Sequence, residues 1–180
     1  MSNARNLSNL LGTGTTIATA NIADDAITAA KIADNAITSA LLPSGTVIQT
    51  VTNASTGTAS SKTNTSYELV PNFTLTITPT STSSKIYISA SMYGFNNIVT
   101  STNTNMNVEL VRDSTTLATM VCGCHTSSGG LRIRDSIAFA ELDAPATTSA
   151  VTYKIQAETS HSSSAYSITS GEIIAMEIAG

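Results

Sequence analysis

Along much of the chain, hydrophobic and polar residues simply take turns. FTLTIT, Phe73–Thr78, alternates without a break, and KIYISASMY, Lys85–Tyr93, sets Ile86, Ile88, Ala90 and Met92 on one face. VTYKIQAE, Val151–Glu158, does the same with Val151, Tyr153, Ile155 and Ala157, and EIIAMEI, Glu172–Ile178, with Ile174, Met176 and Ile178. A period of two is the mark of a strand with one buried face. Shorter candidates lie at 47–52, 67–70, 106–112, 116–124 and 132–142, separated by turn signals at Pro79–Ser84, Arg112–Ser114, Ser127–Gly130 and Asp143–Pro145. Eight to ten short strands without a helical stretch predict an all-β fold: an antiparallel β-sandwich or jelly roll over residues 44–180. The segment 132–142 is less regular. One face would carry Ile133, Asp135, Ile137, Phe139 and Glu141, of which Ile137 and Phe139 are expected inward. The other, with Ser136, Ala138 and Ala140, is small enough to be an ordinary strand surface or a close contact with another subunit.

Before the strands, a different pattern rules. IADDAIT at Ile22–Thr28 returns as IADNAIT at Ile32–Thr38, and Ile22, Ile27, Ile32, Ile37 and Leu42 fall every five residues. Five residues carry a helix about 140° past a full turn, so a helix would spread this row around its surface. On a strand an odd spacing sends successive isoleucines to opposite faces. A heptad coiled coil needs a mean apolar spacing of about 3.5 residues. The pattern predicts a mixed unit, part extended and part a single helical turn, capped by Thr28 or by Asp24 and Asp34. Such a unit has one thin apolar stripe and needs neighbours to cover it. The expected neighbours are copies of the same chain around a common axis. Pro43-Ser44-Gly45 ends the pattern. Three parts follow: 1–20, polar with a small cluster of Leu7, Leu10 and Leu11; a shaft, 21–43; and a β head, 44–180.

Composition narrows the function. Only 11% of residues are charged, against about 25% in typical domains, and Ser, Thr, Asn and Ala take their place. The net charge is −4 and only Arg132 and Arg134 lie close together, which argues against nucleic acid as a partner. No apolar run approaches the ~20 residues of a membrane span, and the start, MSNARNLSNLLGTGTT, lacks the pattern of a secretory signal. The sequons at Asn53, Asn64 and Asn72 are then expected by chance in a Thr-rich chain.

Residue chemistry points to no catalyst. Cys122-Gly-Cys124-His125 is the one cluster of metal-ligand type, but structural zinc takes four ligands, usually with Cys-x-x-Cys spacing, so packing is the expected role of the thiols. A disulfide between i and i+2 would be strained. His125 and His161 have too many serines around them for any pairing to be informative. Glu141 and Asp143 could mimic a glycosidase pair, yet the chain has no Trp to form a sugar platform. GTGTT at Gly12 does not follow a strand, so no phosphate loop is expected. The expectation is a non-enzyme without cofactor. The polar stretches 53–66 and 96–105, with 125–130 and 159–165, are expected as surface loops, which makes Asn96, Asn97, Asn103, Asn105, His161 and Tyr166 the candidate recognition residues.

YELVPNFTLTITPTSTSSKIYISA (67–90), ELDAPATTSAVTYKIQA (141–157) and GEIIAMEIA (171–179), in that order, resemble the C-terminal domain of tailed-bacteriophage tail fibre proteins, especially marine ones. The decad repeat resembles the shafts of such fibres, and NARNLSNLL their virion-proximal start. The likeness spans most of the chain except 96–105 and 125–130. Its shaft of about two decads is shorter than in many fibres. The resemblance implies a homotrimer with its N-terminus on a virion tail or baseplate and a β tip turned toward a host surface glycan or protein. Such a chain would assemble in the bacterial cytoplasm. A capsid decoration protein and a non-phage trimeric lectin-like head are the alternatives.

Overall fold

The computed structural model describes residues 22–34, 36–38, 41–56, 62–98, 103–125 and 131–180. The chain divides after Thr38 into two units.

In the first unit the repeat is shorter than expected. Ala26 N donates to Ala23 O at 3.0 Å, Lys31 N to Thr28 O at 2.9 Å and Ala36 N to Ala33 O at 3.0 Å. Ile22, Ile27 and Ile32 are thus each followed by a four-residue turn, and among the described residues the unit is a pentad rather than a decad of one extended and one helical half. Ala29–Lys31 forms a single 3-10 turn whose flanking Thr28 is extended and makes no side-chain cap. Asp25 holds a φ of 60°, a conformation that Asp tolerates better than most residues. Lys31 Nζ reaches back to Ala26 O at 2.6 Å and ties one turn to the next. A five-residue apolar spacing therefore reflects one apolar residue plus one turn.

The second unit has eight strands: β1 Val47–Thr56, β2 Glu68–Ile77, β3 Lys85–Ile98, β4 Asn103–Arg112, β5 Thr115–His125, β6 Leu131–Asp143, β7 Val151–Thr159 and β8 Ser164–Ile178. They form two antiparallel four-stranded sheets, ordered β1-β8-β3-β6 and β2-β7-β4-β5, here sheets A and B. Successive strands switch between sheets except at β4–β5, which gives the connectivity of a jelly roll. The segments 67–70 and 73–78 join into one strand, β2, with its register broken between Leu69 and Thr74. Pro71 lies at that break on an edge strand, where a missing N–H costs least, and Asn72 takes a φ of 67°.

Between the sheets lies one core. Ile86, Ile88, Ala90 and Met92 of β3 pack in it with Val151, Tyr153, Ile155 and Ala157 of β7, Phe73, Leu75 and Ile77 of β2, and Met106, Val108 and Leu110 of β4. Ile137 and Phe139 point inward from β6 as expected. Burying one such side chain is worth about 1.5–3 kcal/mol, which sets the alternation on each strand. The end of β8 is the exception. Ile173, Ala175 and Glu177 face inward, and Ile174, Met176 and Ile178 lie half-exposed on the outside. The expected inner face of this strand is its outer one.

Two ion-bearing networks lie at one end of the core, in the row of Ile86, which pairs with both Asp143 and Glu177. Arg112 Nη1 donates to both oxygens of Asp143, at 2.7 and 2.8 Å, and Tyr153 Oη donates to Asp143 Oδ2 at 2.6 Å. This clamps β6 of sheet A to β4 and β7 of sheet B. Burial, then the Asp143 carboxylate, pushes the Tyr153 hydroxyl far above its ordinary value. Glu177, fully buried, accepts from Gln49 Nε2 at 2.6 Å, Thr80 N at 2.6 Å and Thr80 Oγ1 at 2.8 Å. Burial drives this carboxyl up, but the surrounding donors outweigh it and leave it below the usual carboxylate value. The buried Ser84 hydroxyl faces the same charge without completing a hydrogen bond.

Candidate functional site

The β head has two rims and two outer faces. At one rim the chain comes in: Thr46 N donates to Pro43 O at 3.1 Å, and Gly45, at a φ of 92°, supplies the left-handed residue of that turn. Gly45 N and Ala179 N then exchange hydrogen bonds with Ala179 O and Thr46 O, each at 2.8 Å, which fastens the incoming chain beside the end of β8. The register puts the candidate recognition segments at the other rim. Ile98 pairs with Leu131 and Ser164, Asn103 with His125, and Met106 with Thr159. The connections β1–β2, β3–β4, β5–β6 and β7–β8 all leave from there. Strand order brings the four segments together, which spacing along the chain does not reveal.

Individual residues differ from expectation. Asn96 and Asn97 belong to β3 and Asn103 and Asn105 to β4, so the expected loop 96–105 is strand at both ends. Polar side chains do not stop a strand whose backbone is paired on both sides, as β3 is by β6 and β8. The side chains of Asn96, Asn97 and Asn103, and residues 99–102, lie outside the described part. Likewise 53–56 belongs to β1, and 57–61 and 126–130 lie outside it. Asn105 is half-buried, its N–H donating to Ser160 Oγ at 2.8 Å. His161 is half-buried in the β7–β8 turn, where its O accepts from Ser164 N at 2.9 Å and its Nδ1 from Ser163 N at 3.1 Å. Tyr166 lies in β8 and not on the surface loop expected for it. It is 3% exposed in the core, its hydroxyl donates to Ala157 O at 2.8 Å, and burial with Glu68 and Glu158 nearby pushes it up to about 12. Of the candidates whose side chains are described, Asn105 and His161 stand half-buried at the rim.

Cys122 sits across from Met106 and packs half-buried against the core, its thiol pushed up by burial and then by Asp135. That is the chemistry of a packed thiol rather than a ready ligand. The side chains of Cys124 and His125 lie outside the described part, and no group of three metal-ligand residues occurs among the described residues. Asp143 of the imagined acid pair is taken up by Arg112 and Tyr153.

Along the shaft, Ile27 and Ile37 are 60% exposed, Ile22 and Ile32 are also exposed, and Leu42 is half-buried. The outer faces of the sheets contrast. That of sheet B is mostly polar: Asn107 Nδ2 donates to Glu158 Oε1 at 2.9 Å, Thr76 and Thr152 share a hydrogen bond at 3.0 Å, and Lys154, Gln156 and Glu109 stand among them, with Leu69 and Val121 exposed on its edge strands. Beside them the Tyr67 hydroxyl is pushed up to about 12 by burial, then by Glu109 and Glu158. That of sheet A carries Val47, Tyr87, Leu142, Ile174, Met176 and Ile178. Sequence reading missed this face because alternation shows that two faces differ, not which one is inside.

No family model and no curated protein sequence matches the chain. Among solved structures, it is similar to a chain of infectious bursal virus derived T=1 particles, at 16% identity and a TM-score of 0.44, over 73% of this chain and 32% of that one. The D431N mutant VP2 protein of infectious bursal disease virus gives 14% and 0.43, over 71% and 31%. Dimeric latent PorU from Porphyromonas gingivalis gives 7% and 0.42, over 73% and 13%. The chain thus spans a third or less of each of these proteins, and likeness at this level assigns no role.

Proposed function

We propose that the protein is a structural component of a virion: a short homotrimeric tail fibre or similar appendage, without catalytic activity, that meets the host surface through its β head. The observation that carries this reading is the row Ile22, Ile27, Ile32 and Ile37, exposed along a single chain of successive turns. A stripe of this kind gains its burial only from other chains. Three chains would turn Ile22, Ile27, Ile32, Ile37 and Leu42 toward a common axis, and residues 1–20 would hold a tail or baseplate protein. Two further points support the reading. The ordered strings at 67–90, 141–157 and 171–179 resemble phage fibre tips, and the head gathers four connections on the rim away from the incoming chain. A rim site of low charge suits a glycan or a polar protein surface, and three weak copies gain by linkage.

The experiment has two arms. Light scattering on the purified chain should give three copies at micromolar concentration; a monomer there removes the trimer. Replacing 57–61, 99–102, 126–130 or 160–163 in turn with Gly-Ser should reduce adsorption of the particle to host cells for at least one segment. Normal assembly with unchanged adsorption in every case would mean that the head decorates the particle and binds no receptor.

A further inference from the structure

The outer face of sheet A is laid out in rows by the strand register. Val47, Ile178 and Lys85 form one row; Thr50, Met176, Tyr87 and Leu142 the next; then Thr52, Ile174, Ser89 and Ala140; then Ala54, Glu172, Ser91 and Ala138. Val47 and Leu142 are 51% and 55% exposed, and the isoleucines and Met176 are half-exposed. Monomeric soluble proteins rarely leave a contiguous apolar patch of more than a few hundred Å² open to water.

We propose that a second copy of this chain covers this face, so that the heads themselves associate. Three observations select that occupant. The first is the sequence spacing. The row 22, 27, 32, 37, 42 takes one more step to Val47, through the turn Pro43–Thr46, and Val47 opens the first row of the face. The apolar series assigned above to self-association therefore runs into the face without a break in spacing; to that extent the inference rests on the proposed function. The second is charge. Among the described outward residues of these rows only Lys85 and Glu172 are charged, one of each sign and three rows apart, so copies of the face do not repel. A strongly charged partner would find nothing to pair with. The third is size. Four strands about 4.8 Å apart and about seven residues at about 3.4 Å give roughly 460 Å² per copy, or about 900 Å² for two, just under the ~1,000 Å² of a stable interface and in the range of a weak, micromolar one.

The test uses the full chain and sedimentation velocity from about 1 to about 100 µM, a range that resolves micromolar association. Ile27→Asp disrupts the shaft, Met176→Glu the face, and Val121→Glu places the same charge on an exposed apolar position of sheet B. The expected results are that Ile27→Asp still associates with rising concentration, that adding Met176→Glu weakens this at least about tenfold, and that adding Val121→Glu does not. Circular dichroism melts of the three variants confirm that the heads are folded. The proposal is overturned if folded Ile27→Asp is monomeric throughout, or if its association survives Met176→Glu. If Ile27→Asp associates as the unaltered chain does while Met176→Glu abolishes association, the shaft reading fails and the face stands.

Discussion

Residues 22–38 and the β head use the same kind of apolar residue in opposite ways. In the head, Ile86, Ile88 and Ile155 are fully buried against strands far away in sequence. In the shaft, every hydrogen bond named above spans five residues or fewer, and the isoleucines stand in water. The difference lies in what completes each part. The head closes on itself, so its stability belongs to one chain. The shaft offers local turns and a stripe, and turns of this length have no independent stability. If copies of the chain cover the stripe, as proposed, its order depends on concentration.

Several changes would break or sharpen that contrast. Tyr153→Ala removes a fully buried aromatic ring and its bond to Asp143, and should cost the head about 3–5 kcal/mol in urea unfolding. Ile27→Asp should leave the unfolding of the dilute head unchanged while abolishing the proposed shaft-mediated trimers, in which it would set three like charges together. Equal effects of both changes on head unfolding would erase the distinction. Next, Asp143→Ala leaves the Arg112 guanidinium and the Tyr153 hydroxyl without their partner, an expected loss of roughly 2–3 kcal/mol. Lys62→Ala breaks the exposed pair with Glu68 and should cost under about 1 kcal/mol.

Glu177 gives a smaller, pH-dependent effect. Its carboxyl lies below the ordinary value in the folded head, so the folded state favours its charged form. That contribution is present above the unfolded value of about 4.3 and is lost as the pH falls through the lower folded value. Acid unfolding should therefore show a stability loss below about pH 4 that Glu177→Gln diminishes. A variant with the same acid profile as the unaltered chain would mean that other carboxylates set the slope. Smallest of all, Cys122→Ala trims a half-buried side chain and should cost about 1 kcal/mol or less without changing assembly.

How far the sequence could be read depended on the range of the forces involved. Strands β3 and β7 were legible with their inner faces, since alternation is local and both bury apolar residues on one side only. The end of β8 was not, because its inner face holds Glu177, made tolerable by Gln49 and Thr80, 128 and 97 residues away. Asn-rich strand ends at 96–98 and 103–105 read as loops because pairing across strands uses the backbone, which every residue has. Tyr166, in a polar stretch, gave no sign that its hydroxyl would find Ala157 O inside. The five-residue row was visible at once, but the turn that explains it needed coordinates. The rim that gathers the candidate segments follows from strand order alone, and strand order is the least local property of the fold.

That strand order also sets a timetable. β8 runs between β1 and β3, and β1 has β8 as its sheet neighbour. Until residues 164–178 have left the ribosome, sheet A is a β3–β6 pair and β1 has nothing to pair with. The isoleucine row precedes the head in the chain, so each nascent chain displays its stripe for the whole time that its head is unfinished. If the stripe associates as proposed, chains made side by side on one message would meet by it before their heads are complete.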